Sequence, residues 1–140
     1  MIPIPPAPKY RSQGAICVVA PAAGERRRLK MLLGDLGLTV SDWPSAEALL
    51  TDLAPEVPSC IVSALDLPGL SGLDLLAELR SRRIPSPIIL IGASGSIRAA
   101  VEALRGGAHD YFDRPLQTRA LYRAVATIVR KRSQAVRVDH

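Results

Sequence analysis

Few residues in this chain have the types and spacing that chemistry needs. Cys17 and Cys60 both fall inside apolar runs, and His109 and His140 stand alone, so no zinc spacing is present. Thiols so placed read as buried and free, in a reducing compartment. No Ser/His/Asp set for nucleophilic catalysis is suggested. A nucleotide cofactor needs a glycine-rich first turn whose amides cradle phosphate. The first turn here, "APAAGE", has one glycine and a proline that lacks an amide hydrogen, and the later "GASGS" matches no phosphate-loop spacing. These residues predict no metal, no cofactor and no enzyme. The stretch that asks for an explanation is "CIVSALDLPGLSGLDLL", Cys60 to Leu76, where an apolar run leaves through Ala64 into a Leu-Pro-Gly loop carrying Asp66. In open α/β sheets the chemistry sits at such strand exits, and this exit holds an alanine.

The elements that position this exit alternate regularly. "AICVVA" reads as a buried strand, and Leu29, Leu32, Leu33 and Leu36 then mark one face of a helix that Gly37 ends. "LTVSDW" is the second strand, and Ser45 caps a short helix buried through Ala46, Leu49, Leu50 and Leu53. "CIVSA" is the third strand; Ser71 and Asp74 form a capping box for a helix buried through Leu75, Leu76 and Leu79. "PIILIG" is the fourth, followed by a helix opened by Ser96, with Ile97, Ala100, Val101 and Leu104 on one face that reads mostly as core, and closed at Gly106-Gly107. "DYF" is a short fifth strand, and Thr118 is expected to cap a last helix running to about Arg132, buried through Leu121, Ala124, Val125 and Ile128. Strands alternating with helices in this way predict an α/β domain of right-handed crossovers, with a parallel sheet covered on both faces.

The 140 residues suit one domain, placed at 15–132. Before it, 1–14 reads as a Pro-rich, polyproline-like arm, "MIPIPPAPKY", with neither the basic region nor the apolar core of a signal peptide; 133–140 is a tail. No run approaches a membrane span, so the expected location is cytoplasmic. A formal charge of +5 raises nucleic acid as an acidic partner, but the basic residues are spread along the chain.

"SALDLPGLSGLDLL", "SAEALL" and "AVEALRGGAHDYFDRPL" together resemble the receiver domain of bacterial two-component response regulators, in the CheY-like superfamily and nearest in pattern to its FixJ/NarL branch. The resemblance runs from about Ile16 to Arg132. It implies a doubly wound, flavodoxin-like (βα)5 fold with strand order 2-1-3-4-5. Receivers are phosphorylated on an aspartate four residues before a loop proline; Pro68 matches the proline, and the matching residue is Ala64. The acidic pair that holds Mg²⁺ in the family matches Ala20 and Pro21, the phosphoryl-binding Thr or Ser matches Ile91, and the lysine before proline matches Arg114. Alanine and proline side chains offer a hard cation no oxygen, and a methyl group cannot attack phosphorus. Asp66, two residues beyond the strand, is expected to be solvent-exposed or paired with Arg114, and is a poor substitute acceptor without a metal.

The resemblance thus implies a pseudo-receiver: a stand-alone regulatory protein that acts by protein–protein interaction, independently of phosphorylation, with a histidine kinase, response regulator or transcription factor as partner. The alternative is a basic, nucleic-acid-binding regulator on the same fold, against which too little chain follows the last helix for a helix-turn-helix. The family's common docking and dimerisation face, the fourth helix, fifth strand and fifth helix, implies a homodimer or partner contact through Arg98, Arg105, Tyr111 and Arg123, with Tyr111 at the aromatic switch position. Arg26, Arg27 and Arg28, beside Arg114 at the pocket rim, read either as solvated charges or as a dock for a partner's acidic side chain.

Overall fold

The computed structural model describes residues 14–53, 57–93 and 95–138, the last six of these as backbone only; the Pro-rich arm lies outside the described residues. Five parallel strands are β1 (Ala15–Val19), β2 (Thr39–Trp43), β3 (Cys60–Ala64), β4 (Ile88–Gly92) and β5 (Asp110–Asp113). They lie in the order β2-β1-β3-β4-β5, as the resemblance implied. The helices are α1 (Ala23–Leu33), α2 (Ala46–Asp52), α3 (Gly72–Ser81), α4 (Ile97–Arg105) and α5 (Thr118–Val138). Among the described residues no helix is long and apolar enough to cross a membrane.

The central strands are apolar on both sides because helices cover both faces. Ile16, Val18, Cys60, Val62, Ile89 and Ile91 point to one face, against Leu29 and Leu33 of α1 and Leu121, Val125 and Ile128 of α5. Cys17, Val19, Ile61, Ile88 and Leu90 point to the other, against Leu49, Leu50, Leu75, Leu76, Leu79 and Ala103. This period of two fixes which side chains can meet at the sheet's end. Cys17 and Cys60 are free and buried on opposite faces, and burial pushes each thiol up to about 12.

The helix starts follow local chemistry. Ser45 Oγ accepts from Ala48 N–H at 3.1 Å, and Ser96 Oγ from Ala99 N–H at 3.3 Å. Ser71 and Asp74 close a reciprocal capping box, with bonds of 2.9 and 3.1 Å. Four expectations fail. Thr118 lies inside α5, whose first turn closes on the Gln117 carbonyl, and α5 continues past Arg132 to Val138. Leu36 belongs to a separate 3-10 turn, Gly34–Leu36, and is only half-buried. On α4 the apolar stripe faces out: Ile97, Val101 and Leu104 are 79%, 41% and 50% exposed, and only Ala103 is buried. The helical period was read correctly, but α4 seats through its small alanine, which lets it approach β4 and β5 closely.

Candidate functional site at the carboxyl edge of the sheet

The strand exits converge at one edge through backbone bonds. Leu65 N–H donates to the Ile91 carbonyl at 2.7 Å, and Arg114 N–H donates to the Gly92 carbonyl at 3.1 Å. The β3 exit is packed tightly: a β-carbon on Gly72 would sit 2.6 Å from the Ala64 carbonyl oxygen, so only glycine lets α3 start there. Glu47 of α2 steadies the loop by accepting from Leu70 N–H at 2.9 Å.

At this edge Ala20 and Ala64 are buried, while Pro21 and Asp66 are exposed. None of these side chains except Asp66 carries a donor or acceptor. Among the described residues no three His, Cys, Asp or Glu side chains gather as a metal site.

Two guanidinium groups border the edge, and both have partners. Arg26 donates from Nε to Asp42 Oδ2 at 2.8 Å and from Nη1 to the carbonyls of Ala20 and Pro21 at 2.8 and 3.0 Å. Lys30 adds a bond to Asp42 Oδ1 at 3.2 Å. Partial burial works to raise the Asp42 carboxyl, but the hydrogen bonds from Lys30 and Arg26 outweigh it and hold the group below its ordinary value. Arg114 donates from Nη2 to both carboxylate oxygens of Glu25, at 2.7 and 3.0 Å. It does not pair with Asp66, one of the two expected roles for that residue. Glu25 and Asp42 thus offset the rim's positive charge, leaving Arg27 and Arg28 as the exposed cations of the triplet.

Ile91 is not a pocket residue. It is buried in the cluster on the α1/α5 face, beside Phe112. Tyr111 packs on the other face, where the residue at the end of β4 is Gly92. A β-carbon on Gly92 would overlap the Tyr111 hydroxyl and lie 2.6 Å from Cζ. The ring therefore points inward, with its hydroxyl buried and without a hydrogen-bond partner. Desolvation pushes the pKa of this phenol above its ordinary value, Asp113 and Asp66 push it further, and Arg114 opposes them. Ile91, matched above to the family's phosphoryl-binding position, is turned away from this ring by the alternation along β4.

Arg98, Arg105 and Arg123 are exposed, and Tyr111 is half-buried. Sequence reading missed Gly92, the partners Glu25 and Asp42, and the outward stripe of α4. Alternation counted forward from Leu90 carried the signal for Gly92; the ion pairs had none.

The sequence profile of the response regulator receiver domain matches residues 16–126. Nodulation protein W of Bradyrhizobium diazoefficiens is 38% identical over 129 residues, covering 90% of this chain and 57% of that protein. The crystal structure of full-length FixJ from B. japonicum superposes with a TM-score of 0.78 at 30% identity, over 89% of this chain and 62% of that one. A CheY-like receiver domain protein from Methanospirillum hungatei shares the fold, with a TM-score of 0.76 at 21% identity over 86% of this chain and 97% of that one. The chain thus spans less than two thirds of the length of nodulation protein W and of FixJ.

Proposed function

The chain belongs to the family of response regulator receiver domains of bacterial two-component signalling, and from that membership we propose that it is a pseudo-receiver, a protein-interaction module that works without phosphorylation and catalyses no phosphoryl transfer. Receiver domains engage histidine kinases and other response regulators, and a partner of that kind, or a transcription factor, is the one proposed here.

The observation that carries this reading is the grip of Arg26 on the Ala20 and Pro21 carbonyls, where the resemblance puts the family's Mg²⁺-holding pair. Mg²⁺ requires a near-octahedral set of oxygens, usually including carboxylates. Ala20 and Pro21 supply carbonyls alone, and a cationic side chain already occupies those. The residues present do not fit the ion. Ala64, at the position matching the phosphoacceptor, has no nucleophilic atom. Gly92, beside Tyr111, has no hydroxyl with which to bind a phosphoryl group.

What such a domain retains is surface. Ile97, Val101 and Leu104 form an exposed apolar stripe on α4, flanked by Arg98 and Arg105. Apolar residues bordered by arginine fit the composition of protein interfaces.

The test is incubation with acetyl phosphate and Mg²⁺, read by intact mass. The wild type is expected to gain no phosphoryl group, and Ala64→Asp alone is expected to gain none, since Arg26 still holds the carbonyls. A labelled species that disappears in Asp66→Ala would overturn the reading.

One observation favours the nucleic-acid alternative: α5 carries no acidic residue and exposes Arg119, Arg123, Arg130 and Lys131. Under that reading, binding to arbitrary duplex DNA falls steeply with salt.

A further inference from the structure

α2 is only seven residues long, Ala46–Asp52, and stops short of covering β1 and β2. Beneath its end lies a cavity of about 210 Å³, walled by Ala15 and Cys17 of β1, Trp43 of β2, and Asp52, Leu53 and Pro58. Its lining is mostly carbon. The Trp43 indole nitrogen is turned to Asp52 Oδ2 at 2.7 Å. β2 is an edge strand, so the cavity lies at the margin of the sheet, along the face of β1 and β2 from Ala15 and Thr39 to Trp43. Its volume is below the roughly 300 Å³ at which small-molecule sites begin, and suits one or two aliphatic side chains of a peptide.

We propose that this cavity is the docking site for the chain's own proline-rich segment, "MIPIPPAPKY", Met1 to Tyr10. The segment enters the fold at the cavity, since Ala15 is one of the walls. To lie back over the cavity the chain must reverse just before Ala15, and Gly14 has φ +69°, the left-handed region that glycine adopts freely. A β-carbon there would overlap Ser59 Oγ, so the reversal is built against the sheet. The chemistry matches as well. Proline-rich segments are preset in an extended helix and dock on apolar, aromatic-lined grooves at low entropic cost. Ile2 and Ile4 supply aliphatic anchors, and Lys9 and Arg11 supply cations to the exposed carboxylate of Asp52.

Tethering makes the contact intramolecular, with an effective concentration in the millimolar range, so weak affinity suffices. The docked segment shields an edge strand that would otherwise offer unpaired backbone groups to other chains. Cys17 is one of the cavity's walls, so an occupant of the cavity limits access of reagents to its thiol.

Trp43 is the only tryptophan, so its emission reads the cavity directly. The experiment compares the full chain with a variant lacking residues 2–11 and with the double variant Ile2→Asp/Ile4→Asp. Both variants are expected to show red-shifted emission. Cys17 is expected to alkylate about tenfold faster in both, the protection a tethered ligand gives when its effective concentration exceeds its dissociation constant by that factor. Cys60, on the opposite face of the sheet, serves as the internal control and should not change. Synthetic MIPIPPAPKY peptide at millimolar concentration should reverse both effects in the truncated chain. Unchanged emission and Cys17 reactivity in the variants overturn the proposal. So does equal binding of the peptide by full and truncated chains, which would assign the cavity to an external partner. A shift that depends on protein concentration would assign it to a second copy.

Discussion

The hydroxyl of Tyr111 occupies the space in which residue 92 would carry a side chain, and Gly92 is what admits it. The ring is held inward by an absent group. Restoring one carbon should therefore move it. Gly92→Ala is expected to turn the Tyr111 ring outward, increase its nitration by tetranitromethane, and return its ionisation towards the ordinary tyrosine value of about 10. The contact sits at the far end of a rotatable side chain, and alanine gains roughly 0.5–1 kcal/mol over glycine in a strand, so overall stability should change little. Nitration and spectrophotometric titration of Gly92→Ala identical to wild type would sink this account.

Tyr111→Phe tests the same relationship from the other side. The hydroxyl is buried and has no hydrogen-bond partner, and a buried unsatisfied group costs about 1–3 kcal/mol. Removing it leaves a small void, which returns part of that gain. The variant is expected to be more stable than wild type by about 1 kcal/mol in urea denaturation. A loss of similar size would mean that the hydroxyl has a partner.

Much of the fold could be read from the sequence because its signals are local. Ser45, Ser71 with Asp74, and Ser96 each start a helix through bonds to residues three positions on, and the central strands are continuous apolar runs. Short motifs were enough to place Ala20, Pro21, Ala64 and Arg114 at the carboxyl ends of their strands. Ile91 and Gly92 were confused because a shift of one residue along a strand reverses the face. The pairs Arg26–Asp42 and Arg114–Glu25 join residues 16 and 89 positions apart, and no local pattern announces them. On α4 the period located an apolar face that reads as core, and solvent meets it instead.

The Arg26–Asp42 pair should appear in the acid limb of stability. The folded Asp42 carboxyl lies below its ordinary value, so its contribution is complete above the unfolded value near 4 and disappears as pH falls through the folded one. The pair is partly buried, with side chains 18% and 27% exposed. Asp42→Asn is expected to cost about 1 kcal/mol at pH 7 and much less near pH 2, as measured by urea denaturation at both pH values. An equal loss at both would show that the carboxylate's charge is not what holds Arg26 in place.

The exposed stripe on α4 separates assembly from folding. Ile97 is 79% exposed and Leu104 50%, so their replacement costs the isolated domain little, within about 0.5 kcal/mol. If the stripe is the docking surface, Ile97→Asp/Leu104→Asp should weaken binding to the protein recovered with this chain from the native cell by at least about 2 kcal/mol, because the apolar anchors of an interface carry most of its energy. Arg105→Glu at the margin should cost less and should alter the salt dependence of association. Sedimentation equilibrium of the same variants separates a partner contact from self-association through this face. A ligand shifts a receiver between two states only by favouring one of them, and Gly92, against which the inward Tyr111 lodges, offers phosphate no hydroxyl of its own. Acetyl phosphate is accordingly expected to leave the wild-type affinity unchanged, and a phosphate-dependent affinity would place the control of this face back in the carboxyl edge of the sheet.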